Sequence, residues 1–326
     1  MLSRRTFVKA SAASCVAGPA FISAADAANW PNREIRILCG VPPGSGMDIV
    51  VRIYAKLLGD LSKATVIVDN KPGAQGNIAT QTLARAKPDG YTIYISPGSS
   101  VFAAAPSLFT KLPFDPINDF EHITTLAKGP FLLIVAPDSP VKTVADLVSL
   151  LKAQGDKGSY GTTANLAIVA SELFKRQFQL QSVEVKYKGT PPAINDLVAN
   201  NIAFMYTDPA AGVALLNAGR VRAIATTSAD RVEALPNIPS AREAGILNTN
   251  LLSWLSVSAP KGTPREIVDQ LAQWFNAMAE NEELRTYTKS IGTDPFPGSP
   301  ESVKKLLIEE TEAWKEYVKI SGIEPM

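Results

Sequence analysis

The sequence predicts an α/β fold of two lobes that are joined by a hinge and separated by a cleft. Apolar runs of strand length alternate with amphipathic helical patterns, and this alternation starts again after the proline-bounded stretch 113–116. Two long amphipathic helices at 264–280 and 300–319 then end the chain and need a sheet face to cover. Because the first lobe offers that face, we expect the chain to leave it, build the second lobe and return.

The first lobe opens with the apolar run 35–41, which predicts a buried strand. A helix follows the turn 42–46 and starts near Met47. Its buried face is predicted to consist of Ile49, Val50, Ile53, Leu57 and Leu58. The other elements of this lobe are expected at 66–68 (strand), 78–86 (helix) and 91–96 (strand). This order is typical of a mostly parallel sheet with right-handed crossovers.

The second lobe repeats the alternation of strands and helices. Its strands are predicted at 132–136, 159–161, 183–187, 204–206 and 221–226. Its helices are predicted at 143–154, 166–177, 193–199 and 213–218, and Thr143 with Asp146 forms a weak capping box at the first of them. We therefore assign residues 29–127 and 229–326 to the first domain and residues 128–228 to the second.

The loops after the strands carry the candidate binding residues, because ligands of open α/β sheets lie beyond the carboxyl ends of the strands. These loops are rich in glycine, hydroxyls and amides and poor in charge, which favours a carboxylate bound by backbone N–H groups. The candidate ligand-binding residues are Pro43, Gly44, Ser45, Gly46, Met47, Asp48, Ser99, Ser100, Thr162, Thr163, Asn165, Thr207 and Asp208. The alternatives are a plain tight turn at 44–46 and ordinary helix caps at 99–100, 162–163 and Asp208.

Few residues are available for metal binding or catalysis. The chain has two cysteines and one histidine, and Cys39 lies inside an apolar run that predicts a core position. His122 precedes an apolar strand and is expected to be structural. We therefore expect no metal, no cofactor and no catalytic residue. A mature charge near −1 also lacks the basic character of a nucleic-acid-binding protein.

Residues 1–28 have the pattern of a twin-arginine signal peptide. Arg4 and Arg5 precede a weakly apolar run at 10–22, and a small-residue cleavage site follows at 25–27. A membrane anchor is the alternative, but the run is shorter than the roughly 20 residues that a spanning helix needs. This pattern predicts export to the bacterial periplasm.

Several motifs in a fixed order resemble one family, the Bug-type periplasmic solute-binding receptors of tripartite tricarboxylate transporters. The resemblance covers nearly the whole mature chain. Its motifs are at 30–36, 42–50, 68–77, 87–92, 111–116, 187–193, 218–223 and 235–239. The resemblance implies a periplasmic-binding-protein-like (type II) fold that closes over a small carboxylated solute. It also implies that loops 42–48 and 161–165 hold one carboxylate through backbone amides and bridging waters.

The sequence departs from the family pattern at two places in the expected pocket. The loop 161–166 is shorter than usual, and Ile168 stands where the family has a histidine. Thr207 stands where the family usually has its aspartate, with Asp208 one place later. We expect Ile168 and Met47 to favour a less polar body behind the carboxylate.

The function expected from this resemblance is capture of a small carboxylated metabolite by cleft closure and delivery to the permease of the transporter. Closure would act by population shift, because the ligand bridges both lobes only in the closed state. The expected partners are the carboxylate and, transiently, the permease subunits, with the receptor a monomer. A ligand-sensing receptor for a periplasmic signalling partner is equally compatible with the sequence. An enzyme is disfavoured, because the loops lack histidine, cysteine and an obvious pair of acids.

Overall fold

The computed structural model describes residues 29–247 and 249–325, and the predicted signal peptide at 1–28 lies outside them. These residues form two mixed β-sheets with helices packed around them, which confirms the predicted α/β fold of two lobes. No helix in the described ranges is both long and apolar enough to span a bilayer. The predicted domain boundaries remain a prediction.

The first sheet has six strands in the order β11-β4-β10-β3-β1-β2. Its strands are β1 (Ile35–Cys39), β2 (Val66–Asn70), β3 (Thr92–Pro97), β4 (Phe120–Pro130), β10 (Leu252–Pro260) and β11 (Asp294–Pro295). β1 pairs in parallel with β2 and β3, whereas β10 is antiparallel to both β3 and β4. β11 is antiparallel to β4.

The second sheet has five strands in the order β7-β6-β8-β5-β9. Its strands are β5 (Leu132–Val135), β6 (Ser159–Thr162), β7 (Val183–Lys186), β8 (Phe204–Thr207) and β9 (Arg222–Thr226). β6 is parallel to β7 and β8, and β5 is antiparallel to β8 and β9. The predicted parallel arrangement of the first three strands is confirmed, but each sheet as a whole is mixed. The strands next to the lobe crossings, β4, β5, β9 and β10, pair mainly in antiparallel fashion, and the sequence pattern does not reveal strand direction.

Ten helices of at least one α-turn lie in the described ranges. They are α1 (Gly46–Ser62), α2 (Asn77–Ala84), α3 (Ala105–Leu108), α4 (Val144–Gln154), α5 (Asn165–Gln177), α6 (Thr190–Val198), α7 (Pro209–Asn217), α8 (Arg265–Met278), α9 (Glu282–Ser290) and α10 (Pro300–Ser321). A buried π-helical segment, Ser99–Ala104, leads into α3. The predicted capping box of α4 is present, because Thr143 Oγ1 accepts from the Asp146 amide and Asp146 accepts from the Thr143 amide.

The buried face of α1 differs from the predicted one. Ile49 is 46% exposed, whereas Val51 and Tyr54 are buried. The Tyr54 ring packs 6.2 Å from that of Phe275 on α8, which covers this side of the first sheet. The helix is turned so that Asp48, not Ile49, points inward, and the polar partners described below explain this orientation.

The last helix contacts both lobes and not only the first sheet. Trp314 of α10 is buried in an apolar cluster that also contains Phe102 of the first lobe and Phe174 of the second. At the end of α10, Arg176 Nε of α5 donates to the Ser321 carbonyl at 2.5 Å. α10 therefore packs across the junction between the lobes.

The chain passes between the two sheets at Phe131, Thr227 and Leu251. Phe131 and Thr227 exchange two hydrogen bonds of 2.9 Å, one of them through the Thr227 hydroxyl. The Leu251 amide donates to the Thr227 carbonyl at 3.0 Å. All three crossing segments are thus tied together at one threonine.

Cys39 occupies the core position predicted for it, whereas His122 lies inside β4 and not before a strand as predicted. Cys39 is fully buried and unpaired. His122 is also buried, with Nε2 2.9 Å from the Pro116 carbonyl and Nδ1 3.1 Å from Ser258 Oγ. A neutral imidazole that donates from Nε2 and accepts at Nδ1 satisfies both partners. Burial lowers the pKa of His122 from 6.5 to about 4.

We expect the free energy of unfolding to fall as the pH decreases from 6.5 to about 4. In this window the unfolded chain binds a proton at His122 and the folded chain does not, so protonation favours unfolding. Above pH 6.5 His122 is neutral in both the folded and the unfolded chain, so this loss of stability is absent. Urea denaturation across this window tests the expectation. His122→Gln should flatten this part of the profile, and an unchanged slope in the variant would contradict the assignment.

Candidate functional site

The loop 42–48 is held in shape by the buried carboxylate of Asp48. Asp48 is 1% exposed, and its Oδ2 accepts from the Gly44 amide at 2.8 Å and from Arg52 Nε at 2.9 Å. Its Oδ1 accepts from Asn70 Nδ2 at 2.8 Å. Burial acts to raise the pKa of Asp48, but the hydrogen bonds from Arg52, Asn70 and Gly44 outweigh it and lower the pKa. The carboxylate is therefore charged and fully engaged.

Asn70 connects this loop to the neighbouring strand. It ends β2, and its Nδ2 also reaches the Val41 carbonyl at 3.0 Å, while Arg52 Nη2 donates to its Oδ1 at 3.1 Å. Residue 44 has a φ of +79°, a conformation that glycine adopts without strain. Asn70 and Arg52 are absent from the residues predicted as the site. The signals for them were the position of Asn70 inside the motif 68–77 and the spacing of four residues between Asp48 and Arg52.

The loops of the two lobes meet at two places. A Cβ added at Gly46 would lie 3.3 Å from the Ala210 Cβ and 3.6 Å from Asp208 Oδ1, so the start of α1 faces the start of α7. Asn165 Nδ2 at the start of α5 lies 3.4 Å from the Ser100 carbonyl of the first lobe. The carboxyl ends of the parallel strands of both sheets therefore face each other across the cleft.

Two helices begin in this cleft with free amides. The first amides of an α-helix have no acceptor within the helix. Within the described ranges, the amides of Gly46 and Met47 in α1 donate to no protein group. The same holds for Asn165, Leu166 and Ala167 in α5, whose N-cap Ala164 has no side chain able to accept. Each helix start thus presents partial positive charge and unused donors.

Buried polar atoms without protein partners lie at the same sheet edge. Within the described ranges they include Asn165 Oδ1, Thr207 Oγ1 and the Tyr206 hydroxyl. Thr207 and Tyr206 end β8, which lies beside the strand that leads to Asn165. Because unpaired polar groups are costly to bury, such atoms mark a place where water or a ligand completes the hydrogen bonding.

Trp254 packs directly on the backbone of the first-lobe loop. A Cβ at Gly98 would come within 2.0 Å of the Trp254 ring, so only glycine fits beneath it. The Trp254 amide donates to Ser99 Oγ at 3.3 Å, and Ser96 Oγ lies 3.3 Å from Ser256 Oγ. These contacts set the position from which the buried segment 99–104 starts. Ser99 thus uses its hydroxyl within the fold.

Several predicted site residues use their side chains for local structure, and Asp208 does so as the alternative of an ordinary helix cap anticipates. Ser45 caps α1 and donates to the Pro42 carbonyl at 2.9 Å. Thr162 donates to Glu184 Oε1 at 2.6 Å, and Asp208 caps α7 by accepting from the Ala211 amide at 2.9 Å. Burial raises the pKa of Asp208 in spite of that bond. A short polar side chain at a helix start satisfies one of its amides and leaves the others free.

The remaining predicted residues lie at the cleft loops. Pro43 and Gly44 are exposed, Met47 and Thr163 are half-buried, and Ser100 is buried with its carbonyl toward Asn165. Ile168 lines a cavity of about 300 Å³ together with Glu172, Glu184 and Lys186, and the expected preference for a less polar ligand body stays a prediction. No group of three potential metal-ligating side chains occurs in the described part of the chain.

The chain matches a known family and several solved structures. Residues 50–323 of this chain match the family described as tripartite tricarboxylate transporter family receptor. The solved structure of R. palustris Rpa4515 with adipate is 31% identical and has a TM-score of 0.86, and the match covers 91% of this chain and 100% of that one. The periplasmic binding protein BugD is 29% identical, with a TM-score of 0.84 and coverage of 91% and 100%.

A third solved structure is MatC of Rhodopseudomonas palustris with bound malate, at 26% identity and a TM-score of 0.81. It covers 89% of this chain and 100% of its own. The family match extends over far more than half of the sequence. The chain belongs to the tripartite tricarboxylate transporter receptor family and is a periplasmic solute-binding protein of the Bug type.

Proposed function

We propose that the protein captures a small dicarboxylate in the cleft and delivers it to the permease of a tripartite tricarboxylate transporter. The observation that carries this proposal is the pair of helix starts, at Gly46 and Asn165, whose free amides belong to opposite lobes. Carboxylate oxygens accept several hydrogen bonds and are stabilised by the positive end of a helix. One carboxylate between the two lobes would use donors from both.

The unpaired side-chain atoms define the rest of the proposed pocket. Thr207 can donate its hydroxyl proton, while Asn165 Oδ1 can only accept. A ligand hydroxyl or an ordered water can serve both needs, and water-mediated contacts are nearly as favourable as direct ones. The pocket is therefore suited to a carboxylate with polar or water-bridged substituents.

Closure provides the mechanism of capture. Because the donors lie on both lobes, the ligand binds the closed state more tightly than the open state and shifts the population toward it. The proposed hinge for this closure is at Thr227, where the segments that cross between the two sheets meet. We further propose that residues 1–28 direct the protein to the periplasm by the twin-arginine route, and that the receptor acts as a monomer without a cofactor.

Similar proteins support the choice of ligand class. Rpa4515 was solved with adipate and MatC with malate, and both are dicarboxylates. These two molecules differ in length and in the presence of a hydroxyl group, so together they test both the length of the proposed pocket and its polar atoms.

We expect adipate or malate to raise the melting temperature of the protein by about 5 °C at saturating concentration, since a ligand that binds only the folded state stabilises it. Differential scanning fluorimetry on refolded protein measures the shift. The control is adipamide, which has the length of adipate without its charges. An equal shift with adipamide, or no shift with any small dicarboxylate, would contradict the proposed site.

A further inference from the structure

We propose that a groove on the first lobe binds an acidic segment of a partner protein. The basic groove, as we name it, has a volume of about 440 Å³ and lies along β1 and β2 beside α2. Its lining includes Arg36, Asp69, Lys71, Gln81, Arg85 and Thr92. None of the candidate cleft residues lines it.

The charges of the groove favour an anionic partner. Three cationic side chains face one carboxylate, although the mature chain as a whole is nearly neutral. Asp69 serves both ion pairs in the groove, at 3.6 Å from Arg36 and 3.3 Å from Lys71, and Arg85 takes part in neither. Carboxylates of a partner can therefore pair with cations that Asp69 alone does not neutralise.

The shape of the groove favours a chain segment over a small molecule or a membrane. The side chains of Arg36 and Lys71 are 50% and 43% exposed, so they do not enclose a ligand as a metabolite site would. The concave surface between α2 and the strands does not match the flat surface of a bilayer. An extended acidic segment can follow the strands and place successive carboxylates near Lys71 and Arg85.

The groove adjoins the residues that hold the cleft loop. Successive side chains of a strand point to opposite faces, and Asp69 and Lys71 accordingly line the groove whereas Asn70 does not. Asn70 instead holds Asp48 and the Val41 carbonyl. A partner seated in the groove would therefore contact both neighbours of Asn70, next to the loop that faces the second lobe.

The test is binding of a fluorescein-labelled peptide of alternating glutamate and serine, followed by fluorescence anisotropy. We expect Lys71→Glu/Arg85→Glu to weaken binding about tenfold or more, since charge reversal places like charges opposite each other. Asp69→Asn removes the competing carboxylate and should strengthen binding about threefold. The control Lys305→Glu/Lys315→Glu makes the same change of net charge on α10 and should bind as the wild type does.

Four results would overturn the proposal. The first two are that the wild type does not bind the peptide and that the control variant loses as much affinity as Lys71→Glu/Arg85→Glu. The other two are that Asp69→Asn binds the peptide more weakly than the wild type, and that citrate at the same concentration as the peptide displaces it. The last result would assign the groove to small anions. Adipate-induced stabilisation is measured on the same variants as a check of folding, and it should remain because no groove residue belongs to the cleft.

Discussion

Replacing Gly46 with leucine is expected to weaken dicarboxylate binding about a hundredfold or more, while the protein remains folded. Even a Cβ at this position would lie 3.3 Å from the Ala210 Cβ, closer than side chains normally approach. A leucine would hold the two lobes apart and thereby disfavour the closed state. Isothermal titration calorimetry with adipate and with malate measures the change in affinity.

A pair of smaller changes separates closure from local damage. Gly46→Ala should weaken binding less than leucine does, and Gly46→Ala/Ala210→Gly should restore it, because the second change removes the opposing methyl group. Ile49→Ala is the matched control, since Ile49 lies on the exposed side of the same helix. If the double variant binds no better than Gly46→Ala, contact between the lobes at Gly46 does not control affinity.

Replacing Asp48 with alanine is expected to lower the free energy of unfolding by about 2–4 kcal/mol, because several hydrogen bonds to a charged acceptor are lost. The Gly44 amide would lose its partner, and Asn70 Nδ2 would keep only the Val41 carbonyl. The stabilisation from this carboxylate is present above its unfolded pKa near 3.8 and is lost as the pH falls through its lowered folded value. Urea denaturation at neutral pH measures the difference.

Asp60→Ala is the matched control for this prediction. Asp60 lies on the same helix and pairs with Lys56, but both side chains are well exposed. Exposed ion pairs contribute little to stability, so this variant should unfold like the wild type. Equal stability of Asp48→Ala and Asp60→Ala would show that the Asp48 network does not hold the loop.

The sequence was informative where a pattern is local. The strands β1–β3 and β5–β9 and the capping box at Thr143 and Asp146 follow from hydrophobic periodicity and capping chemistry, and all are present. α9 was missed because its sequence, Glu282–Ser290, is mostly polar and buries only Leu284 and Thr288. β4 was missed as a long strand because its polar residues interrupt any apolar run.

The candidate site was less accessible from sequence than the fold. Loop position correctly pointed to helix starts at Gly46 and Asn165, but it could not distinguish a side chain that faces the cleft from one that caps a helix. Ser45, Asp48 and Thr162 all have partners that lie elsewhere in the chain or in the turn itself. Such pairings depend on tertiary structure, and no spacing in one sequence specifies them.

The position of β10 in the first sheet also determines the order in which the two sheets can fold during synthesis. β10 lies between β3 and β4, yet its residues Leu252–Pro260 emerge after all five strands of the second sheet. Until β10 has been synthesised, the strands β1–β3 cannot be joined to β4 in one sheet. The second lobe, although it lies in the middle of the chain, is therefore the first to complete its sheet on the ribosome.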